Sequence, residues 1–228
     1  MPKLNQTAVW SVVFLLFASV IVYHTIYHPR QYLLMSFILC IAAMLPFFIR
    51  FEARHLHARE VVPIAVLVAL AAVSRVPFSV LPSVQPLTFI TVISAAVFGA
   101  EVGFLVGALS AVVSNMFLGQ GPWTIWQMFS WGLIGWAAGL LRHTWVMRNY
   151  WGRILFGIVS GMVFGWLMNL SSILAIASEW SWELILTTYG ASVYFELMHA
   201  AGNVLFFAVL SNSWIKVLQR YKQKYQVL

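Results

Sequence analysis

The chain has 228 residues, of which 62% are hydrophobic and only 8% are charged. This balance is far from that of soluble globular proteins and leaves little sequence for a water-soluble domain. The formal net charge of +7 would suit nucleic-acid binding, but the basic residues stand between the apolar stretches. Attraction to anionic lipid headgroups and control of topology explain that placement better, so we expect no nucleic-acid partner.

Eight apolar stretches follow one another along the chain, and most approach the roughly 20 residues that a helix needs to cross a bilayer. Because backbone polar groups must be paired within lipid, each stretch is interpreted as a helix. The predicted fold class is therefore an all-α polytopic membrane protein. In chain order the stretches are Ala8–Tyr27, Gln31–Ile49, Glu60–Val76, Leu87–Gly99, Glu101–Leu118, Pro122–Leu141, Ile154–Ser178 and Leu184–Leu210.

The 13 Lys and Arg residues divide unequally between the two sides of such a protein. Only Arg30 and Arg75 fall on one side. Since loops rich in Lys and Arg stay in the cytoplasm, both termini are predicted to be cytoplasmic. The residues on the cytoplasmic side are Lys3, Arg50, Arg54, Arg59, Arg142, Arg148, Arg153, Lys216, Arg220, Lys222 and Lys224.

The charged connection between the second and third stretches divides the chain into two predicted parts. Residues 1–58 form a two-helix transmembrane hairpin with few polar or small residues, and residues 59–228 form a six-helix core. Small residues that recur at helical spacing let helix backbones approach closely in lipid, which predicts a compact bundle. These stripes are Ala95/Gly99/Gly103/Gly107/Ala111, Gly132/Gly135/Gly139 and Gly157/Gly161/Gly165.

Residues of catalytic or metal-binding type are scarce. The chain has no Asp and a single cysteine, Cys40, and its sequence contains neither a nucleophile elbow nor a phosphate-binding loop. Glu196-x-x-His199 matches half of a di-iron helix motif, but no other helix supplies the second half. We therefore expect neither an enzyme nor a metal site.

A few polar residues lie near the predicted outer ends of the helices. Glu196, His199 and Asn203 share one face of the last helix. A carboxylate within lipid normally faces the bundle interior or a water-filled cavity, so these groups predict a polar pocket that opens outward. It would lie beneath external connections rich in Pro and Trp, such as Val76–Pro86 and Ser178–Glu183. Mutual hydrogen bonds that only hold helices together are the alternative. The other polar candidates are Asn115, Thr124, Trp126, Gln127 and Asn169.

Three motifs resemble one known family. They are Ala65-x-x-x-Ala69 in the third helix, the run QGPWTIWQM at Gln120–Met128, and the run FELMHAAGNVLF at Phe195–Phe206. Together they resemble the substrate-binding (S) component of energy-coupling factor (ECF) vitamin transporters, with the last two similar to a cobalt- and cobalamin-related branch. The resemblance covers about Glu60 to Trp214 and implies a six-helix S-component bundle in the bacterial cytoplasmic membrane.

The resemblance implies that substrate is captured outside and delivered by docking on a transmembrane T component and two ATPase subunits. Ala65 and Ala69 would contact the T component, since small side chains leave a groove that another helix enters. The expected ligand is cobalamin, carried as cargo rather than as a cofactor. The predicted substrate-binding residues are Arg75, Gln85, Asn115, Gln120, Trp123, Trp126, Gln127, Asn169, Tyr189, Glu196 and His199.

Three alternatives stay open at this point. Within transport, the ligand would be another vitamin or precursor, such as cobinamide or riboflavin. A membrane-embedded enzyme would use Glu196 and His199 as acid and base. A structural scaffold would use its polar residues only to lock helices and would bind no small molecule.

Overall fold

The structure is a computed structural model that describes residues 32–53, 58–176 and 181–225. This part of the chain is all-helical, with eight α-helices and one 3₁₀ turn at Leu141–His143. The α-helices are α1 (Tyr32–Glu52), α2 (Ala58–Phe78), α3 (Pro86–Phe98), α4 (Ala100–Leu118), α5 (Trp123–Leu140), α6 (Trp145–Arg148), α7 (Tyr150–Ile176) and α8 (Trp182–Tyr225).

Seven of the eight predicted helices correspond to α1–α5, α7 and α8, which confirms the predicted fold class. The first, Ala8–Tyr27, lies outside the described residues, as do Arg30, Arg54 and Trp180. Within the described residues, α1, α2, α4, α7 and α8 are long and apolar enough to cross a membrane. The apolar helix α3 has only 13 residues, which reach roughly 20 Å.

Helix α3 occupies the centre of the bundle. Every one of its residues except Ala96 is buried, and α2, α4, α5 and α8 all pack around it. The Phe89 ring lies edge-on to Phe207 and Trp214 of α8, with centroid distances of 5.2 and 5.6 Å. A helix enclosed on all sides need not span the bilayer alone, because its neighbours shield its ends from lipid.

The glycine stripe between α4 and α5 brings two backbones into direct contact. A Cβ placed on Gly103 would overlap the carbonyl of Gly135, and a Cβ on Gly135 would overlap the carbonyl of Gly103. Gly107 and the Trp131 carbonyl meet in the same way. Between α3 and α4 a single residue, Gly99, reverses the chain with φ +103°. The predicted close approach of helix backbones is confirmed.

Helix α1, the second helix of the predicted hairpin, packs on the core along a narrow stripe. Cys40 and Met44 are buried, and Phe47 stacks on Phe104 of α4 with ring centroids 3.9 Å apart. Much of the remaining surface of α1 is exposed and apolar, as a lipid-facing helix requires.

Two details of the predicted elements were wrong. The last helix continues past Leu210 to Tyr225, because Trp214, Leu218 and Tyr221 give its final turns an apolar face that packs on the core. Between the sixth and seventh predicted helices, where no helix was predicted, the chain forms the 3₁₀ turn and the short helix α6.

Candidate ligand-binding site

Arg75 forms the centre of a polar cluster where the last turns of α2 and α4 meet the first turns of α3 and α5. The whole residue is 7% exposed. The Nε donates to Gln85 Oε1 at 2.8 Å, and Nη1 donates to Ser114 Oγ and to Asn115 Oδ1, the latter at 3.0 Å. Alternating helix directions bring these four helix ends to the same side of the bundle.

Amide and hydroxyl groups extend this cluster along α5. Asn115 Nδ2 donates to Thr124 Oγ1 at 2.9 Å and to Gln127 Oε1 at 2.8 Å. Thr124 in turn donates to Gln120 Oε1 at 2.9 Å. The structure thus brings five predicted site residues together, and we call the whole set the arginine cluster: Arg75, Gln85, Ser114, Asn115, Gln120, Thr124 and Gln127.

The charge of Arg75 is surrounded by neutral groups. Its hydrogen-bond acceptors are amide and hydroxyl oxygens, and its guanidinium carbon lies 4.8 Å from the centroid of the Trp131 ring. Such contacts compensate part of the cost of burying a cation, but a full counter-charge compensates more. The cluster is therefore suited to a ligand that combines hydrogen-bonding amides with an anionic group.

A second set of contacts joins the arginine cluster to α8. Trp131 Nε1 donates to Thr88 Oγ1 at 3.0 Å, and the same hydroxyl is hydrogen-bonded to His199 Nε2 at 2.8 Å. Phe164 of α7 lies between the two rings, stacked on Trp131 at 4.3 Å and edge-on to His199 at 5.1 Å. His199 is thus hydrogen-bonded to the Thr88 hydroxyl and packed against the Phe164 ring.

Glu196 belongs to a separate cluster between α7 and α8. Its Oε1 accepts hydrogen bonds from Asn169 Nδ2 and Ser192 Oγ, both at 2.8 Å. Its Oε2 accepts one from Trp166 Nε1 at 3.1 Å, and Tyr189 donates to the Trp166 carbonyl. We call this set the glutamate cluster: Trp166, Asn169, Tyr189, Ser192 and Glu196.

Two further predicted site residues, Trp123 and Trp126, are members of neither cluster. Trp126 is buried against α1, where its Nε1 donates to Ser36 Oγ at 3.2 Å. Trp123 is 45% exposed, with its ring over Gly121. In this structure Trp126 supports the packing of α1, whereas Trp123 keeps a free aromatic surface beside Gln120.

A family model matches most of the part of the chain that forms this bundle. The model of the family described as ECF-type riboflavin transporter, S component, matches residues 55–220, well over half of the chain. The chain belongs to this family. The match covers α2 to α8 almost completely and leaves α1 outside.

Curated relatives match a shorter part of this S-component family member. A UPF0397 protein of Vibrio atlanticus (strain LGP32) is 33% identical over 88 residues, 36% of this chain and 48% of the relative. A UPF0397 protein of Aliivibrio fischeri (strain MJ11) is 32% identical over 91 residues, 38% of this chain and 49% of the relative. The chain thus spans about half the length of the curated relatives it matches. No solved structure matches it significantly.

Membership of a transporter-component family argues against the alternative of an intramembrane enzyme. The geometry agrees, since Glu196 and His199 share a helix face but bond to different partners. Among the described residues, no three His, Cys, Asp or Glu side chains come close enough to hold a metal ion.

The Ala65-x-x-x-Ala69 motif lies on the surface of this S-component fold. Both alanines are exposed on α2, within an apolar face that also includes Val62, Val66 and Val73. Beside this face, α2 and the end of α8 enclose an apolar groove of about 350 Å³. An exposed face of small and branched apolar side chains is a surface on which another helix can pack in lipid.

Sequence interpretation missed several residues of the clusters and of the contacts that link them. Ser114 adjoins the predicted Asn115, and Thr88 lies one helical turn after Gln85, so their spacing was a usable signal. Trp131 and Trp166 gave no such signal, because tryptophan in a membrane helix is commonly an interfacial residue.

Proposed function

We propose that this protein is the substrate-capturing S component of an ECF-type vitamin importer, and that its ligand binds at the arginine cluster. The observation that supports this most is the buried Arg75, which is held by neutral amides and hydroxyls at one end of the bundle. With both termini cytoplasmic, that end faces outward, where a ligand arrives.

Cobalamin is the ligand we propose, as the sequence motifs predict. It carries a phosphodiester that would pair with the Arg75 guanidinium and peripheral amides that would exchange hydrogen bonds with Gln85, Asn115 and Gln127. Riboflavin is the second candidate, and the description of the matching family favours it. Riboflavin is uncharged, so it would gain hydrogen bonds from the cluster but no charge pairing.

The test is a calorimetric titration of the purified chain in detergent with cobalamin, cobinamide and riboflavin. Cobinamide lacks the phosphodiester and the nucleotide base. Tight binding of cobalamin with weaker binding of cobinamide supports the proposal. Tight binding of riboflavin alone would mean that riboflavin is the ligand and that the proposed S-component function still holds. Binding of none of the three contradicts vitamin capture.

Delivery would proceed by docking of the exposed α2 face on a T component that works with two ATPase subunits. Replacing Ala65 or Ala69 with Trp puts a large ring on that face, where another helix would have to pack. We expect Ala65→Trp and Ala69→Trp to abolish vitamin uptake by cells that have no other copy of the protein. Ligand binding to the purified variants should stay unchanged, because both positions lie away from the arginine cluster.

Ala43→Trp is the matched control for these variants. Ala43 is also an exposed alanine, but it lies on α1, outside the region that the family matches. Uptake should therefore survive Ala43→Trp. Normal uptake by the Ala65→Trp and Ala69→Trp variants would show that the T component docks elsewhere.

A further inference from the structure

A cavity of about 560 Å³ lies at the end of the bundle opposite the arginine cluster. It opens between the final turns of α8, the end of α3, and the connection from α5 to α7. Its polar lining consists of Arg142, His143, Arg148, Arg153, Lys222 and two glutamines. Among the residues that the structure describes, no acidic side chain lines it.

Four cations around one cavity repel each other unless a counter-charge is present. Glu101, a carboxylate near the start of α4, contacts Arg50 at 3.3 Å, and neither residue lines the cavity. Lys222 instead donates to the Val97 carbonyl at 3.2 Å, and Arg142 donates to the ring of His143 at 2.9 Å. These are neutral partners, which leaves the positive charge of the cavity uncompensated by its own lining.

Arg153 lines the cavity and is a hydrogen-bond donor that the fold holds in a fixed position. Only 5% of it is exposed. Its Nη1 is fixed by the carbonyls of Met147 and Arg148 at 3.0 and 3.1 Å, and its Nη2 by Asn212 Oδ1. Its Nε is buried and has no hydrogen-bond partner. A buried N–H on a positioned cation is costly without an acceptor, so the group points to an anion.

We propose that this cavity binds a phosphate-bearing anion, with Arg142, Arg148, Arg153 and Lys222 as its charged partners. Guanidinium groups bind phosphate oxygens through paired, charge-assisted hydrogen bonds, and an ammonium adds a point charge. Basic cavities between membrane helices on the cytoplasmic side are typical sites for phospholipid headgroups. The phosphate would come from an anionic phospholipid or from a free phosphate ion. This inference is independent of the vitamin ligand.

The experiment measures anion binding to the purified, delipidated chain. Short-chain phosphatidylglycerol, short-chain phosphatidylcholine and inorganic phosphate are each titrated while native mass spectrometry counts bound molecules. Thermal unfolding of the same samples reports stabilisation. Binding of phosphatidylglycerol but not phosphatidylcholine identifies a lipid site. Stabilisation by inorganic phosphate identifies a free-ion site. If neither anion binds in preference to phosphatidylcholine, the proposal is wrong.

Matched substitutions on α6 and α8 separate this site from general surface charge. Lys222→Gln removes a cation that lines the cavity, whereas Lys216→Gln and Arg220→Gln each remove an exposed cation that does not. We expect Lys222→Gln and Arg148→Gln each to weaken anion binding about tenfold. Lys216→Gln and Arg220→Gln should change it far less. Equal losses in all four variants would mean diffuse attraction to a basic surface and would overturn the proposal.

Discussion

Two antiparallel helix pairs, α4–α5 and α7–α8, are built from the same components in different ways. Each pair has a glycine stripe and a polar cluster. Between α4 and α5 the glycines meet backbone, at Gly103 and Gly135. Between α7 and α8 Gly161 meets the backbone of Ala200, whereas Gly157 faces the Phe207 ring and Gly165 faces the Glu196 side chain. Backbone contacts cannot yield, whereas side chains can change rotamer, so α4–α5 is the more rigid pair.

The two clusters also bury opposite charges. The arginine cluster surrounds a cation with neutral acceptors, and the glutamate cluster surrounds a carboxylate with neutral donors. Trp131, Thr88 and His199 lie between them and connect the two pairs. Under the proposed function, the pair with more backbone contacts would be the one that presents the Arg75 charge to the ligand.

The largest expected effect is that of Gly135→Leu in α5. Its side chain would have to occupy the position of the Gly103 carbonyl, so the α4–α5 contact would separate. We expect a loss of at least about 3 kcal/mol of stability, the upper range for overpacking. The measurement is thermal unfolding in detergent followed by circular dichroism, together with the monodisperse fraction on size exclusion.

Gly157→Ala in α7 is the comparison variant. A Cβ there would lie 2.7 Å from the Phe207 ring, a side chain rather than a backbone carbonyl, and alanine is a better helix former by about 1 kcal/mol. The net change should be below about 1 kcal/mol. Similar losses in both variants would remove the distinction between a rigid and an adaptable pair.

Helices and glycine stripes were predictable from the sequence because both follow from the order of residues along one helix. Apolar length defines a membrane helix, and small residues spaced by three or four share a face. The end of α8 was missed for a related reason. Its charged residues, from Lys216 onward, suggested that the helix stops, while the packed face of Trp214, Leu218 and Tyr221 continues it.

Membership of the clusters was only partly predictable, because it depends on how helices are rotated against each other. Trp126 and Gln127 are neighbours in the sequence, but successive residues on a helix point roughly 100° apart. Gln127 therefore reaches Asn115, whereas Trp126 reaches Ser36 of α1. No pattern within α5 alone distinguishes those two directions.

The second largest effect should follow from Arg75→Gln. The variant removes the buried cation and leaves the amides of the cluster, so it isolates the contribution of the charge. If the ligand is cobalamin, its affinity should fall about 10- to 100-fold, the range for losing hydrogen bonds to a charged group. Cobinamide, which lacks the phosphodiester, should lose much less. Calorimetric titration of both ligands measures the difference.

Arg50→Gln is the control for the loss of one positive charge. Arg50 is exposed, pairs with Glu101 and lies at the opposite end of the bundle, so ligand affinity should not change. Arg75→Lys keeps the positive charge that Arg75→Gln removes. Comparing the unfolding of the two variants therefore tests whether the buried charge is needed for folding. Should Arg75→Gln bind both ligands as tightly as the unchanged chain does, the arginine cluster only holds helices together.

The smallest effect should be that of Glu196→Gln, which compares the glutamate cluster directly with the arginine cluster. A glutamine oxygen can still accept from Asn169 and Ser192, while its NH₂ would face the Trp166 N–H that now donates to Oε2. Trp166 is partly exposed and can turn to another acceptor. The expected cost is therefore about 1 kcal/mol of stability, seen as a lower melting temperature. Ligand affinity should fall less than in Arg75→Gln, because the anionic group of the proposed ligand would pair with the Arg75 cation and not with a carboxylate. A loss of affinity as large as that of Arg75→Gln would instead mean that both charges contact the ligand, and that the two clusters form one binding site.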